Sequence, residues 1–534
     1  MKSRKYPRAD RWKTWCVGKN GKQKGEAVMS EIMEYQMFID GQWTPGSSGD
    51  TMDVINPATR EVVAQVPRGT KEDVDRALAS ARQAFESGVW SGKSVEERAA
   101  VLMNAAMLAV ANKERLAYLE ALTSGATIRR TSTVDAAEVS ATLLLSAMIA
   151  KELPKVEHTF FSPPWVAPMH SYWKREPIGV CAGITPWNFP LILAIFKIAP
   201  ALAMGNSLVM KPASITPVTT LELAKILSDA GVPPGVFNVI TGPGSSVGDY
   251  MAQHPEVDKI AFTGSTEVGR HVAHLAADSI KRVTLELGGK SPIIVLDDAD
   301  MEVAANMCLL AFLFHSGQVC ESGTRLFVPR HMQDELVERM ITKIKKMVIG
   351  NQLDLETDLG PIANQEQLNT IMNYVKIGKN EGAQLAYGGN RLTTGIYEKG
   401  FFFEPTIFIN CTNQMTQARE EIFGPVQCVI PYDDEEEAVA MANDSIYGLG
   451  GGICSTNAGR AQRVASRLRT GTVWINTWHI LRPDAPFGGY KQSGYGRECS
   501  YHSLLAYSEV KHVCQDLTPD GSEKLLNLLI GSNR

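Results

Sequence analysis

Residues 180–211 read VCAGITPWNFPLILAIFKIAPALAMGNSLVMK, and the pattern of this stretch decides the fold. A short apolar run at 180–184 is followed by a long apolar segment at 191–203 and by a second short run at 207–210. Short apolar runs separated by a segment of helical length predict two parallel strands joined by a helix. The stretch therefore predicts an α/β fold built on a parallel sheet.

The same alternation continues towards the carboxyl terminus. Further strands are predicted at 236–240, 259–262 and 282–285, with helices near 218–230, 247–253 and 268–276. A second alternating region runs from about residue 292 to 476, and a late strand is predicted at 506–515. Parallel sheets of this kind bind ligands at the carboxyl ends of their strands, so the pattern indicates a nucleotide-binding architecture.

The first 150 residues follow a different pattern. Short strands are predicted at 37–39, 54–56 and 62–66, and Thr70 can cap a helix that follows them. The sequence SVEE at 94–97 is a capping box for a long second helix, which Gly125 can end. A third helix is predicted near 134–151, and the Pro-rich stretch 161–168 then ends the helical regime.

Composition narrows the possible functions. A chain of 534 residues suits two or three domains, and a net charge of -5 without a basic, aromatic-rich run argues against nucleic-acid binding. The apolar stretch 307–314 is too short to span a bilayer, and 191–204 is interrupted by Lys197 and Pro200, so no membrane association is expected. The basic first 24 residues lack an apolar core, which predicts a disordered extension rather than a secretory signal.

Nine scattered cysteines without a CxxC pair predict no disulfide framework and no metal site, and they favour a cytoplasmic location.

Two glycine-rich turns are candidates for binding phosphate. One contains Gly244 and Gly248, and the other spans residues 264–269; each follows a predicted strand and opens a helix. Backbone N–H groups there could bind a pyrophosphate, although such a motif taken alone is more often an ordinary glycine turn. Lys211, at a strand end, could hold a ribose or phosphate or could simply be solvated.

Three residues have side chains suited to catalysis. Asn188, in the rigid loop PWNFP at 186–190, is either a turn residue or an N–H donor for a developing oxyanion. Glu286, between Leu285 and Leu287, is either a general base with a raised pKa or half of a buried ion pair. Cys320 follows an apolar helix in GQVC at 317–320, where it could be a nucleophile or a buried thiol.

Taken in order, these motifs resemble the aldehyde dehydrogenase superfamily over about residues 36–515. The motifs that carry the resemblance are PWNFP at 186–190, MKPA at 210–213, FTGST at 262–266, LELGGK at 285–290, GQVC at 317–320, EEIFGP at 420–425 and PFGGYKQSG at 486–494.

The resemblance implies a fold with a Rossmann-like dinucleotide-binding domain, an α/β catalytic domain and a β oligomerisation arm. It divides the chain into a basic extension at 1–29, a dinucleotide-binding domain at 30–152 and 172–288, an arm at 153–171 and 504–517, a catalytic domain at 289–503, and a tail at 518–534. In the family, the terminal strand of the arm joins the sheet of a neighbouring subunit, so a homodimer or homotetramer is expected.

The resemblance also implies a mechanism. Cys320 attacks an aldehyde, Asn188 and the Cys320 N–H hold the oxyanion, hydride passes to NAD or NADP, and Glu286 activates the water that hydrolyses the thioester. In the family, residues matching Lys211 and Glu421 hold the two riboses, and the one matching Phe423 packs by the nicotinamide. The implied cofactor-binding residues are Ile184, Thr185, Trp187, Lys211, Ser214, Gly244, Gly248, Phe262, Thr263, Gly264, Ser265, Thr266, Val268, Gly269, Leu287, Glu421 and Phe423.

The substrate is less well defined by the sequence. Positions that line the substrate tunnel in relatives correspond to Phe189, Ile192, Phe196, Phe314, Glu321, Ile480, Leu481 and Phe487. Their mainly apolar character predicts an aromatic or medium-chain aliphatic aldehyde. A semialdehyde with a second carboxylate would need a basic anchor, for which Arg482 is the nearby candidate and which Glu321 opposes.

Two residues depart from the pattern of the family, and the sequence leaves two alternative functions besides oxidation of a semialdehyde. Many NAD-preferring relatives carry Glu where this chain has Ser214, so NADP is also a credible cofactor. Glu321 replaces the usual small residue after the nucleophile. The alternatives are a CoA-acylating dehydrogenase, whose relatives commonly lack the Glu286 equivalent, and a non-catalytic protein on the same scaffold.

Overall fold

The computed structural model describes residues 32–154, 156–159 and 169–519. The predicted basic extension, the Pro-rich break at 161–168 and most of the predicted C-terminal tail lie outside the described residues. In the first part of the chain the elements are β1 (Met33–Glu34), β2 (Met37–Ile39), β3 (Gln42–Thr44), β4 (Thr51–Ile55), β5 (Val62–Pro67), α1 (Lys71–Glu86), α2 (Val95–Ala111), α3 (Lys113–Ser124), α4 (Ile128–Arg130), α5 (Ala136–Glu152), β6 (Val156–His158) and β7 (Met169–Pro177).

The alternating region follows. Its first half contains β8 (Val180–Ile184), α6 (Pro190–Ala203), β9 (Ser207–Lys211), α7 (Val218–Ala230), β10 (Phe237–Val239), α8 (Asp249–Gln253), β11 (Lys259–Thr263), α9 (Thr266–Ala277) and β12 (Arg282–Glu286). Its second half contains β13 (Pro292–Val295), α10 (Met301–Leu313), β14 (Arg325–Pro329), α11 (Gln333–Ile344), α12 (Gln365–Asn380), β15 (Gln384–Tyr387), β16 (Arg391–Leu392), β17 (Phe402–Phe403), β18 (Thr406–Ile409), α13 (Thr416–Arg419), β19 (Val426–Tyr432), α14 (Glu435–Asn443), β20 (Gly450–Cys454), α15 (Ala458–Ala465), β21 (Thr472–Ile475), β22 (Gly494–Tyr495), α16 (Ser500–Leu505) and β23 (Ser508–Asp516).

One helix prediction was wrong. A single helix was expected from Ser94 to Gly125, but α2 ends at Ala111 and α3 begins at Lys113. The side-chain amide of Asn112 donates to the Leu108 carbonyl at 2.8 Å, so it caps the last turn of α2 and competes with continuation of the backbone ladder. The two predicted ends are confirmed, since Ser94 and Glu97 form the capping box and Gly125 closes α3 with a φ of 79°.

The third helix begins earlier than the sequence pattern indicated. Helical structure runs from Ile128 to Glu152, with a five-residue π-helical turn at Thr131–Asp135 between α4 and α5. By length and composition alone, this is the one helix of the described residues that could cross a membrane. In the fold α5 packs against α2 and α6, as a core helix does.

The five strands of the first alternating half form the centre of an eight-stranded sheet, which β22, β2 and β3 complete in the order β22-β12-β11-β8-β9-β10-β2-β3. The five central strands, β12 to β10, are parallel, and the direction in which the chain adds strands reverses between β8 and β11. A ligand cleft is expected outside the carboxyl ends of the strands at such a reversal. The ends of β8 and β11 at that point carry Ile184 and Thr263.

The second half forms a seven-stranded sheet in the order β15-β18-β19-β14-β13-β20-β21, parallel except for β15. A third sheet, β23-β7-β6, is antiparallel, and its long pairing runs from Ser508 opposite Pro177 to Asp516 opposite Met169. The strand β7 pairs with β23 along its whole length and continues to Pro177, beyond residue 171, where the first part of the arm is predicted to end. The domain boundaries stay predictions.

Candidate active site

A cavity of about 250 Å³ lies at the carboxyl ends of the eight-stranded sheet, where the second half of the chain meets it. It brings together ten of the residues predicted from the sequence. Those ten are Trp187, Asn188, Thr263, Gly264, Ser265, Glu286, Leu287, Cys320, Glu421 and Phe423.

Cys320 is brought to the cavity wall by an irregular turn after α10. His315, Ser316 and Gly317 in this turn all have positive φ, and a Cβ on Gly317 would collide with the backbone of Gly424. Left-handed backbone at two non-glycine residues is strained, and such strain persists only where the surroundings impose it. The turn thus fixes where the thiol lies.

The electrostatic surroundings of Cys320 favour the protonated form of its thiol. The sulfur donates to the Oε2 atom of Glu321 at 3.1 Å. Burial raises the pKa of the Cys320 thiol well above its usual range, and the negative charge of Glu321 raises that pKa further. Cys320 is therefore a thiol at rest, and its proton would have to leave before the sulfur could act as a nucleophile.

Asn188 lies against the backbone that leads to Cys320. Its side chain is buried, and its Nδ2 donates to the Gln318 carbonyl at 2.9 Å. An amide nitrogen has two N–H donors, so one donor remains for a group in the cavity. Asn188 therefore has the position and the donor needed for an oxyanion site.

Glu286 ends β12 on the opposite side of the cavity. Neither carboxyl oxygen forms a well-shaped hydrogen bond with a described residue, although the Gly489 N–H lies close enough to favour the charged form slightly. Burial raises the pKa of Glu286 well above its usual range, and the negative charge of Glu498 adds to that shift. A carboxyl group without fixed partners and with a raised pKa is suited to proton transfer near neutral pH.

The structure adds two charged residues that the sequence reasoning missed. Lys197 is fully buried in α6 and donates to Glu498 Oε1 at 2.6 Å and to Thr263 Oγ1 at 2.7 Å. Both charges influence the pKa of Glu286, in opposite directions. A signal did exist, because Lys197 is the one charged residue of an otherwise apolar helix and such a lysine requires a buried partner.

The cavity has features that fit a dinucleotide. Lys211 is buried at the end of β9, where burial lowers its pKa to about 8, and its ammonium makes one hydrogen bond among the described residues, to the Pro212 carbonyl at 3.1 Å. Two of its three N–H donors thus remain for ribose hydroxyls. Glu421 reaches across the cavity and accepts from the Gly289 N–H at 3.0 Å. Ser265 caps α9, whose N-terminal N–H groups open towards the same space.

Phe423 is held in an unusual conformation. Its φ is 57°, which is rare for a bulky residue, and its ring meets that of Trp187 edge-on at 5.3 Å between centroids. Both rings line the cavity near Cys320. They form an apolar wall against which a flat ring could lie.

The other predicted cofactor residues do not line this cavity. Thr185 donates its N–H to the Lys211 carbonyl at 3.2 Å, and Gly248 packs on the Lys211 stem. The hydroxyl proton of Ser214 is used in a hydrogen bond within the protein, because the hydroxyl donates to the Gly242 carbonyl at 2.8 Å. The remaining ones are Ile184 and Phe262 at strand ends, Gly244 in a π-helical turn, and Thr266, Val268 and Gly269 in α9.

The predicted substrate residues are only partly brought together. The rings of Phe189 and Phe314 lie 6.1 Å apart, and Phe314 lies 4.9 Å from His479. His479 donates from Nδ1 to Glu321 Oε1 at 2.9 Å, so a ring cluster adjoins the carboxylate beside Cys320. Ile192, Phe196 and Phe487 are buried, Leu481 packs against the core, and Ile480 is 56% exposed.

Known proteins resemble this chain over nearly its whole length. A profile described as "Aldehyde dehydrogenase family" matches residues 43–513. Betaine aldehyde dehydrogenase of Bacillus subtilis (strain 168) is 44% identical over 487 residues, which cover 91% of this chain and 98% of that protein. Betaine aldehyde dehydrogenase of Staphylococcus aureus, solved in complex with NAD+, is 42% identical with a TM-score of 0.89, covering 91% of this chain and 96% of that one. A point mutant of the Staphylococcus aureus enzyme, solved in the apo form, gives the same identity and TM-score and covers 93% and 97%.

The names of these relatives bear on the substrate. Betaine aldehyde carries a permanent positive charge on a quaternary ammonium group. The expectation of an aromatic or medium-chain aliphatic aldehyde therefore receives no support from them.

Proposed function

The chain belongs to the aldehyde dehydrogenase family, and we propose that it oxidises a small cationic aldehyde to the carboxylic acid with NAD(P)+ and water. The observation that supports the reaction is the arrangement of Cys320, Asn188 and Glu286 around one cavity. The observation that supports the substrate class is the buried Glu321 carboxylate next to the Cys320 sulfur.

In the acylation half of the reaction, the Cys320 thiol releases its proton to solvent, and the resulting thiolate attacks the carbonyl carbon of the aldehyde. The free N–H of Asn188 and the backbone N–H of Cys320 stabilise the oxyanion that forms. A bound nicotinamide would supply the hydride acceptor, and Trp187 and Phe423 would hold its ring. Loss of hydride leaves the acyl group on Cys320 as a thioester.

In the deacylation half, Glu286 takes a proton from the water that attacks the thioester. Its two oxygens are free to accept such a water, because no described residue holds them in a well-shaped hydrogen bond. Lys197 and Glu498 form an ion pair near Glu286. The negative charge of Glu498 raises the pKa of Glu286, and the positive charge of Lys197 lowers it. The presence of Glu286 favours water over CoA as the acyl acceptor.

Glu321 favours a positively charged substrate. Burial alone would raise the pKa of Glu321, but hydrogen bonds from His479 and Cys320 outweigh that effect and hold the pKa below its usual value, so the group is a carboxylate at neutral pH. A cation near it gains Coulomb attraction, whereas a second carboxylate on the substrate would be repelled. A cation would also offset the effect of Glu321 on the nucleophile, which favours release of the Cys320 proton. The adjacent rings of Phe189 and Phe314 add apolar surface for methyl groups.

A pair of nearly isosteric substrates tests the proposal. Betaine aldehyde and 3,3-dimethylbutanal differ chiefly in having nitrogen or carbon at the branched centre, and therefore in charge. Absorbance of the reduced nicotinamide, followed without CoA and with NAD+ and NADP+ in parallel, should give a kcat/KM roughly 10- to 100-fold higher for the cation, as expected for one partly buried charge pair.

The variant Glu321→Gln provides the matched control. It keeps the size and shape of the side chain and one of its two acceptor oxygens but removes the charge, so it should abolish most of the preference while the neutral aldehyde is still oxidised. Equal kcat/KM values for the two aldehydes in the wild-type protein would exclude the cationic substrate class. A strict requirement for CoA would exclude hydrolytic turnover.

A further inference from the structure

Arg130, at the end of α4, is a buried charge that contacts the loop carrying Asn188. Only 3% of its side chain is exposed. Its Nη2 donates to the Asn188 carbonyl at 3.3 Å, and its guanidinium carbon lies 4.0 Å from the centroid of the Phe189 ring. One side chain thus touches both the residue that offers the oxyanion donor and the aromatic residue next to it.

Asp135 holds this guanidinium in place. Its Oδ2 accepts from Arg130 Nη2 at 2.6 Å and from Nε at 3.1 Å, and Asp135 is fully buried. Residues five apart on a regular α-helix point in different directions. The π-helical turn Thr131–Asp135 adds the residue that brings the two side chains to the same side.

Glu120 anchors the other end of the loop. Its Oε1 accepts from the Leu191 N–H at 3.0 Å, in the first turn of α6, and its Oε2 accepts from Thr219 at 2.7 Å. Residues 189 and 190 therefore lie between two buried anchors, Arg130 at Asn188 and Glu120 at Leu191. This leaves the backbone of Asn188 little freedom to shift.

The Arg130–Asp135 pair is not needed for stability alone. A buried ion pair is often no more stabilising than well-packed apolar residues of the same volume. This pair also leaves Arg130 Nη1 and Asp135 Oδ1 buried without a hydrogen-bond partner among the described residues. What the pair does provide is a rigid, planar donor directed at the loop.

We propose that Arg130 is a positioning residue for the oxyanion donor, acting through the Asn188 backbone and the Phe189 ring. This inference rests on the proposed role of Asn188. Lysine at position 130 would keep the positive charge opposite Asp135, but it could not donate to Asp135 through a planar fork while also reaching the Asn188 carbonyl. Asn188 would then lose its fixed position without loss of the ion pair.

The test is a double-mutant cycle on the acylation rate. Stopped flow measures this rate as the rate at which reduced nicotinamide forms in the first turnover. Arg130→Lys should slow that rate roughly tenfold or more, as expected for a displaced catalytic group, and leave the Kd of NAD+ unchanged. In an Asn188→Ala background, Arg130→Lys should have little further effect, because the donor that it positions is gone.

Two further variants keep the test independent of stability. Arg98→Lys alters another partly buried arginine, which donates to the Ala203 and Lys93 carbonyls away from the cavity, and it should leave acylation unchanged. Arg130→Met with Asp135→Asn removes both charges together, avoiding an unpaired carboxylate, and should slow acylation as Arg130→Lys does.

The outcomes separate the two hypotheses. If Asn188→Ala slows acylation and Arg130→Lys slows it equally in both backgrounds, or not at all, the positioning role is refuted while the proposed function stands. If Asn188→Ala itself leaves acylation unchanged, the oxyanion role of Asn188 is refuted, and the positioning inference falls with it.

Discussion

At the residue scale, three carboxyl groups share the surroundings of one thiol. Glu321, Glu421 and Glu286 all raise the pKa of Cys320, after the larger effect of burial. Burial also raises the pKa of Glu421, to about 7. The site therefore favours a protonated, unreactive nucleophile until substrate and cofactor arrive. Such a thiol is also less readily oxidised than a thiolate.

Glu286 makes the pH dependence of turnover predictable. Because its pKa is raised, the carboxylate that serves as a base becomes populated only as pH rises through a range above that of an ordinary carboxyl group. We expect kcat, where deacylation limits it, to increase with pH over that range. Glu286→Gln should lower kcat roughly 100-fold or more and remove this part of the profile. A variant with the wild-type kcat profile would show that another group activates the water.

At the element scale, two helix caps of the same chemistry have different roles. Ser94 caps α2 away from the cavity, whereas Ser265 caps α9 at the cavity and accepts from the Val268 N–H at 3.3 Å. Loss of such a cap costs about 1 kcal/mol of stability. Only the second cap also orders N–H groups at the proposed cofactor site.

The two caps yield a paired prediction. Ser94→Ala should lower the melting temperature slightly and leave the Kd of NAD+ unchanged. Ser265→Ala should lower the melting temperature by a similar amount and weaken NAD+ binding, as measured by titration of the purified protein. Equal Kd values for the two variants would argue against a role for the start of α9 in cofactor binding.

Elements with strong local patterns were predictable from the sequence, and those fixed by distant partners were not. The strand Val180–Ile184 and the helix Val218–Ala230 were predicted to the residue, since each is a clean apolar pattern between turn signals. The break at Asn112 depends on one side chain bonding its own backbone. The pairing of Lys197 with Glu498 joins residues far apart in sequence. Motifs predicted Cys320 as the nucleophile, but they did not predict the buried charges around the cavity.

At the scale of the whole molecule, the arm presents a surface suited to a second copy of the chain. The strand β23 forms one edge of its sheet and pairs with β7 on its other side. Val510 in this strand is 57% exposed, and Leu517 just beyond it is 50% exposed. Apolar residues along an open strand edge favour association, so we propose a homo-oligomer built through the arm.

Light scattering during size-exclusion chromatography measures the molar mass of the protein and so tests whether it forms an oligomer. The wild-type protein should have the mass of two or four chains, and Val510→Asp should shift the distribution towards smaller species. Ile396→Asp is the control, because Ile396 is 70% exposed in a turn outside the arm. A wild-type monomer, or a Val510→Asp variant with unchanged mass, would contradict assembly through this edge.

The central claim is that the aldehyde passes through a thioester on Cys320 that Glu286 helps to hydrolyse. Mass spectrometry of the Glu286→Gln variant, quenched after mixing with NAD+ and betaine aldehyde, tests it most directly. The account predicts a near-stoichiometric acyl adduct on the Cys320 peptide, formed with one equivalent of reduced nicotinamide and absent from a Cys320→Ala variant. An adduct on another residue, or steady turnover in the Cys320→Ala variant, would contradict it.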